Sequence, residues 1–75
     1  MKPQILKRIT DIENGIESRL VKTERGFVVG IWDIDCNEPF DGVIIFPYQK
    51  ENCEEEANNY FNRINSNDYN ISIRI

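Results

Sequence analysis

Residues 26–47 read GFVVGIWDIDCNEPFDGVIIFP: two apolar runs, Phe27–Ile34 and Gly42–Phe46, joined by a short acidic segment that contains a proline. The first run is apolar on both alternating faces, with Phe27, Val29 and Ile31 on one and Val28, Trp32 and Ile34 on the other. Such a strand belongs at the centre of a sheet, covered on both sides, unless one face binds something. Gly30 in its middle predicts a bulge or a close backbone approach. Asp33, Asp35, Glu38 and Asp41 crowd the connection to the second run, and Pro47 ends it. The remaining segments are placed by what they add to this sheet.

On the N-terminal side, Glu17–Thr23 (ESRLVKT) is a short strand, followed by a turn at residues 23–26. Further out, Ile5, Ile9, Ile12 and Ile16 recur at i, i+4, i+7 and i+11, with Leu6 widening the stripe. That rhythm predicts a helix over residues 3–14. Pro3 suits its first turn, and Asn14-Gly15 supplies a left-handed stop. The same Asn-Gly pair could form a two-residue hairpin turn. In that register Lys7 faces Lys22 and neither flank alternates cleanly, so the helix is preferred.

On the C-terminal side, residues 52–64 read as a second helix. Asn52 stands at the cap, Glu55 in the capping-box position, and Glu54, Glu55 and Glu56 lie where the helix dipole favours anions. Cys53, Ala57, Tyr60, Phe61 and Ile64 form its apolar stripe. Residues 70–75 (NISIRI) alternate strictly and predict a last strand. The expected fold is therefore α+β, one domain over 1–75, in the order helix-strand-strand-strand-helix-strand. Its antiparallel sheet would carry the helices on one face. Helix, three strands, helix is also the order of double-stranded-RNA-binding domains, a likeness of topology alone. Those domains meet phosphates with a basic run at the second helix, where this chain has Glu54-Glu55-Glu56.

Composition narrows the function classes. A chain of 75 residues buries only ~60% of its unfolded surface, so a deep catalytic cleft would be cut from an already small core. The net charge of −4 is uneven. Residues 1–30 hold six Lys/Arg against four acids, and residues 31–75 hold three against nine. The acidic half disfavours a phosphate backbone and favours a basic protein surface. Histidine is absent, which removes Cys/His zinc sites and histidine acid–base chemistry within this chain. Residues 1–9 lack the apolar core of a secretion signal, no run is long enough to span a membrane, and two cysteines without a C-x-x-C pattern read as free thiols. The expected setting is the cytoplasm, and nothing calls for a cofactor.

The acidic connection opens like a calcium loop, Asp33-x-Asp35-x-Asn37, but Glu38 replaces the required glycine and Ile44 the final glutamate. Paired carboxylates for glycosidase chemistry lack a cleft around them. Cys36 lies among acids, which blunts a thiol, and Cys53 fits the apolar stripe of its helix. Trp32 reads either as core or as an interaction anchor. The expected function is a small acidic, non-enzymatic interaction module, a regulator or inhibitor. It would present Trp32, Asp33, Asp35, Glu38, Asp41, Glu54, Glu55 and Glu56 to a basic protein partner. The alternative is nucleic-acid binding by the aromatic sheet face, with Trp32 and Tyr48 stacking bases. A sheet edge could also pair with a second copy.

Overall fold

The computed structural model describes residues 2–65. Four strands come first: β1 (Gln4–Asp11), β2 (Ile16–Lys22), β3 (Gly26–Asp33) and β4 (Glu38–Pro47). One helix, α1 (Cys53–Ile64), follows. The strands form one antiparallel sheet in the order β1-β2-β3-β4. This corrects the expected order: the N-terminal segment is a strand and not a helix, and among the described residues one helix covers the sheet rather than two. The strand expected over residues 70–75 lies outside the described residues.

The first segment is a strand because its isoleucine rhythm has a different origin. A bulge between Ile5 and Lys7 shifts the register, so Ile5 pairs with Val21 while Ile9 pairs with Ser18 on the other side of the sheet. A bulge interrupts period-two alternation, and the residues on either side of it then mimic helical spacing. The turn is also longer than a two-residue hairpin. It runs over residues 12–15, with Gly15 in the left-handed region at φ 69°. The Asp11 carboxylate accepts from the Asn14 backbone N–H (3.2 Å) and from Asn14 Nδ2 (2.7 Å). Isoleucine's branched Cβ favours a pleated strand, and pairing with β2 satisfies backbone groups that an isolated helix end would leave open.

β3 is the central strand, paired with β2 on one side and β4 on the other. On one face Leu20, Phe27, Val29 and Ile31 meet Ala57, Phe61 and Ile64 of α1, with Ile16, Phe46, Cys53 and Tyr60 at the margin. α1 lies over β2, β3 and β4, and Ile9 of β1 stays half exposed on that face. The helix takes the expected residues but not the expected cap. Asn52 is itself left-handed (φ 60°) and makes no side-chain capping bond; its carbonyl accepts from the Glu56 N–H at 2.9 Å.

β4 begins at Glu38, earlier than the Gly42 start that the sequence suggests, because two register shifts accommodate its extra residues against β3. One shift faces Gly30. A Cβ placed there would lie 2.6 Å from Val43 Cγ2 and 2.7 Å from Val43 Cα. The second contact is backbone and cannot rotate away. Gly30→Ala is therefore expected to cost about 1–3 kcal/mol, as overpacking does. A thermal melt should show a fall of at least about 4 °C; an unchanged midpoint would mean that β4 does not approach β3 this closely.

Candidate functional site

The acids singled out in the sequence do not form one surface. Gly26 pairs with Pro47 at one end of the β3–β4 hairpin, and Asp33 pairs with Glu38 at the other. α1 starts just after the Pro47 end. It finishes beside Ser18, whose hydroxyl donates to Asn65 Oδ1 at 2.7 Å and which pairs with Ile31 near the Asp33 end. Glu54, Glu55 and Glu56 thus sit about a helix length, roughly 18 Å, from the 33–38 turn. Glu56 is engaged locally, 3.5 Å from Lys50 Nζ.

The turn itself is built by Asp33. Its side chain accepts from the Cys36 N–H at 3.1 Å and its carbonyl from the Asn37 N–H at 2.8 Å, with Asn37 in the left-handed region at φ 55°. The carboxylate works inside the hairpin rather than pointing at a partner. Asp35, Glu38 and Asp41 are exposed, the last two as strand residues rather than parts of a loop. Between them stands Phe40, 63% exposed, and Ile34 is exposed on the approach. Phe40 is the extra residue of the second register shift, set between Pro39, opposite Trp32, and Asp41, opposite Ile31. Sequence reasoning passed over it; the visible signal was a lone aromatic in an otherwise polar, acidic segment.

Trp32 is neither core under the helix nor a free anchor. It lies on the helix-free face, half buried, with the Arg19 guanidinium 5.2 Å from its ring centroid. Arg19 Nε donates to Glu17 Oε2 at 2.6 Å, and Arg19 Nη2 donates to Asn37 Oδ1 at 2.9 Å. Thr10 Oγ1 donates to Glu17 Oε1 at 2.6 Å. Glu17 is buried, so its charge needs these partners. The cluster ties β1, β2, β3 and the hairpin turn together. Its signal in the sequence was an acid and a base two apart on one strand face.

Among the described residues no group of three Asp, Glu or Cys side chains converges as metal ligands. Cys36 is exposed and Cys53 partly buried against the core, both as free thiols. A cleft of about 200 Å³ lies between β1–β3 and the end of α1, lined by Ile9, Ile16, Ile31 and Ile64 with Ser18 and Asn65. Its Ser18 hydroxyl already donates to Asn65. No helix among the described residues is long and apolar enough to cross a membrane. No protein-family model, curated protein or solved structure matches the chain.

The Thr10 hydroxyl and the Arg19 guanidinium hold the Glu17 carboxyl below the usual carboxylate range, against the opposing effect of burial. A folded-state value below the unfolded one stabilises the fold at higher pH, and that contribution is lost as the pH falls through the lowered value. Glu17→Gln should therefore cost about 1–3 kcal/mol near neutrality. Its melting midpoint should converge on the wild type's as the pH drops through the acidic carboxylate range. A gap that stays constant with pH would show that the Glu17 charge contributes nothing.

Proposed function

We propose that this chain is a non-enzymatic protein-interaction module whose contact surface is the β3–β4 end of the sheet. There Ile34 and Phe40 are apolar anchors set among Asp35, Glu38 and Asp41. The observation that carries this reading is Phe40, the most exposed aromatic side chain among the described residues, flanked by Asp41 and, two positions back, Glu38. An aromatic anchor within a charged rim is the usual make-up of a hot spot, and the rim sets partner choice and association rate. The partner class is a protein with an apolar recess bordered by Lys and Arg. A basic groove that otherwise holds phosphate fits that description, so a regulator or inhibitor is the form this module takes. The two free thiols suit a reducing compartment, and we place the chain in the cytoplasm. Nucleic-acid binding through Trp32 is disfavoured because Arg19 already occupies a face of its ring.

The test is capture of protein partners from a lysate of the encoding cell by wild type and by surface variants. Phe40→Ala, or Asp35→Lys with Glu38→Lys, should each weaken capture by at least about tenfold, a hot-spot-sized loss. Capture by wild type should also weaken steeply as salt rises. Reversing Glu54, Glu55 and Glu56 should leave it within about twofold, since rim charges remote from a contact contribute little. Full capture by folded Phe40→Ala and Asp35→Lys/Glu38→Lys variants would sink the proposal.

A further inference from the structure

We infer that Arg19 and Tyr60 are positioning residues that pin the β3–β4 hairpin at Asn37 and Gly42 and so hold Phe40 outward as a pre-formed anchor. The effect on binding rests on the contact surface proposed above, whereas the pinning is a property of the free chain. Glu38, Pro39, Phe40 and Asp41 lie between two left-handed residues, Asn37 at φ 55° and Gly42 at φ 59°. Asparagine and glycine are the residues that accept this backbone, so the sequence lets the chain change direction at both points. Each of these points receives a hydrogen bond from outside the hairpin. Arg19 Nη2, on β2, donates to Asn37 Oδ1 at 2.9 Å. Tyr60 Oη, on α1, donates to the Gly42 carbonyl at 2.7 Å.

Both donors are themselves held. The Arg19 guanidinium lies over Trp32 and its Nε donates to the Glu17 carboxylate. The Tyr60 ring packs against Phe46, with centroids 5.9 Å apart. Inside the segment, Asp41 Oδ1 accepts from the Gly42 N–H at 2.8 Å, and Pro39, opposite Trp32, has its φ fixed by its ring.

These ties matter because a bulge can slip. Phe40 is the residue left over between Pro39, paired with Trp32, and Asp41, paired with Ile31. A slip of one position would pair Phe40 with Trp32 or with Ile31 and turn its ring onto the sheet. Burial of the ring favours that slip, so the outward position has to be held. The bonds to Asn37 and Gly42 fix the direction in which the chain enters and leaves the bulge. An anchor already held in place also loses less freedom when a partner docks.

Nuclear magnetic resonance of the full chain, free in solution, tests the pinning. Backbone order parameters of residues 38–41 should be rigid in the wild type, at about 0.85. Tyr60→Phe removes only the hydroxyl and keeps the ring on Phe46. Asn37→Gly keeps a residue that accepts the left-handed backbone and removes the acceptor. Each should lower these order parameters towards about 0.6, with the Val29 and Ala57 signals unmoved. Overhauser contacts from Phe40 to Trp32 or Ile31 should strengthen in both variants. Asn37→Asp keeps an acceptor oxygen for Arg19 and should keep the wild-type order. In the lysate capture, Tyr60→Phe and Asn37→Gly should each weaken partner binding by about two- to tenfold. That further loss should vanish in a Phe40→Ala background, because both changes act through the same ring. Unchanged order in either Tyr60→Phe or Asn37→Gly overturns the two-ended pinning, and so does a capture loss equally large without Phe40. If the segment loosens as expected but the wild type captures no partner, the contact surface fails and the pinning stands. If the wild type captures a partner and both variants stay rigid, the pinning fails and the contact surface stands.

Discussion

The structure depends on the burial of Val29. It is fully buried at the centre of β3, paired with Leu20 of β2 and Ile44 of β4 and lying beneath α1. Phe27 and Ile31 extend that line in both directions, and Ala57, Phe61 and Ile64 close over it. A domain of this size has one core, and each large side chain in it contributes about 1.5–3 kcal/mol of the total. The helix can lie close because Ala57, fully buried, offers only a methyl group at the contact. β1 takes no part in this core. It is held instead by its backbone ladder to β2 and by Thr10, which reaches the Glu17 carboxylate.

β3 was legible in the sequence because its two-sided apolar pattern admits only a central position, and α1 because its stripe repeats over three turns without interruption. β1 was not, for a definite reason. The bulge between Ile5 and Lys7 breaks alternation, and the apolar positions left behind satisfy a helical template by accident. Local pattern cannot reveal a bulge that exists only relative to a partner strand. The same holds for β4, where two register shifts turn Glu38 and Asp41 from loop residues into strand residues. The acids of the candidate surface were visible as composition, but their separation into two ends of the molecule required the direction of α1. Phe40 was visible too, and only its exposure gives it meaning.

The cluster around Arg19 shows how one residue can set the character of a whole face. Arg19 lies over Trp32, bonds Glu17 and reaches Asn37 in the hairpin turn. By neutralising the buried carboxylate it removes the strongest charge from the helix-free side of the sheet. By covering the indole it also takes away a flat aromatic platform of the kind that binds bases. What remains exposed there among the described residues includes Ile5, Val43 and Ile45 together with Arg8. Without Arg19, the Glu17 carboxylate would sit buried with Thr10 as its remaining side-chain partner, a strongly destabilising arrangement.

The two surfaces then answer to different physics within one small chain. At the β3–β4 end the acids are exposed, so attraction to a cation is long-ranged and the aromatic between them supplies the short-ranged contact. On the helix-free face Glu17 and Arg19 are paired with each other and largely withdrawn from solvent, which leaves Arg8 as the exposed charge there. Among the described residues α1 is the one helix, and it packs on the opposite side of the sheet. The net charge of −4 sets a repulsion between copies of the chain. The arrangement thus leaves Asp35, Glu38 and Asp41 exposed at one end of the molecule and Glu54 and Glu55 at the other, while the one buried carboxylate of the sheet is held by Thr10 and Arg19.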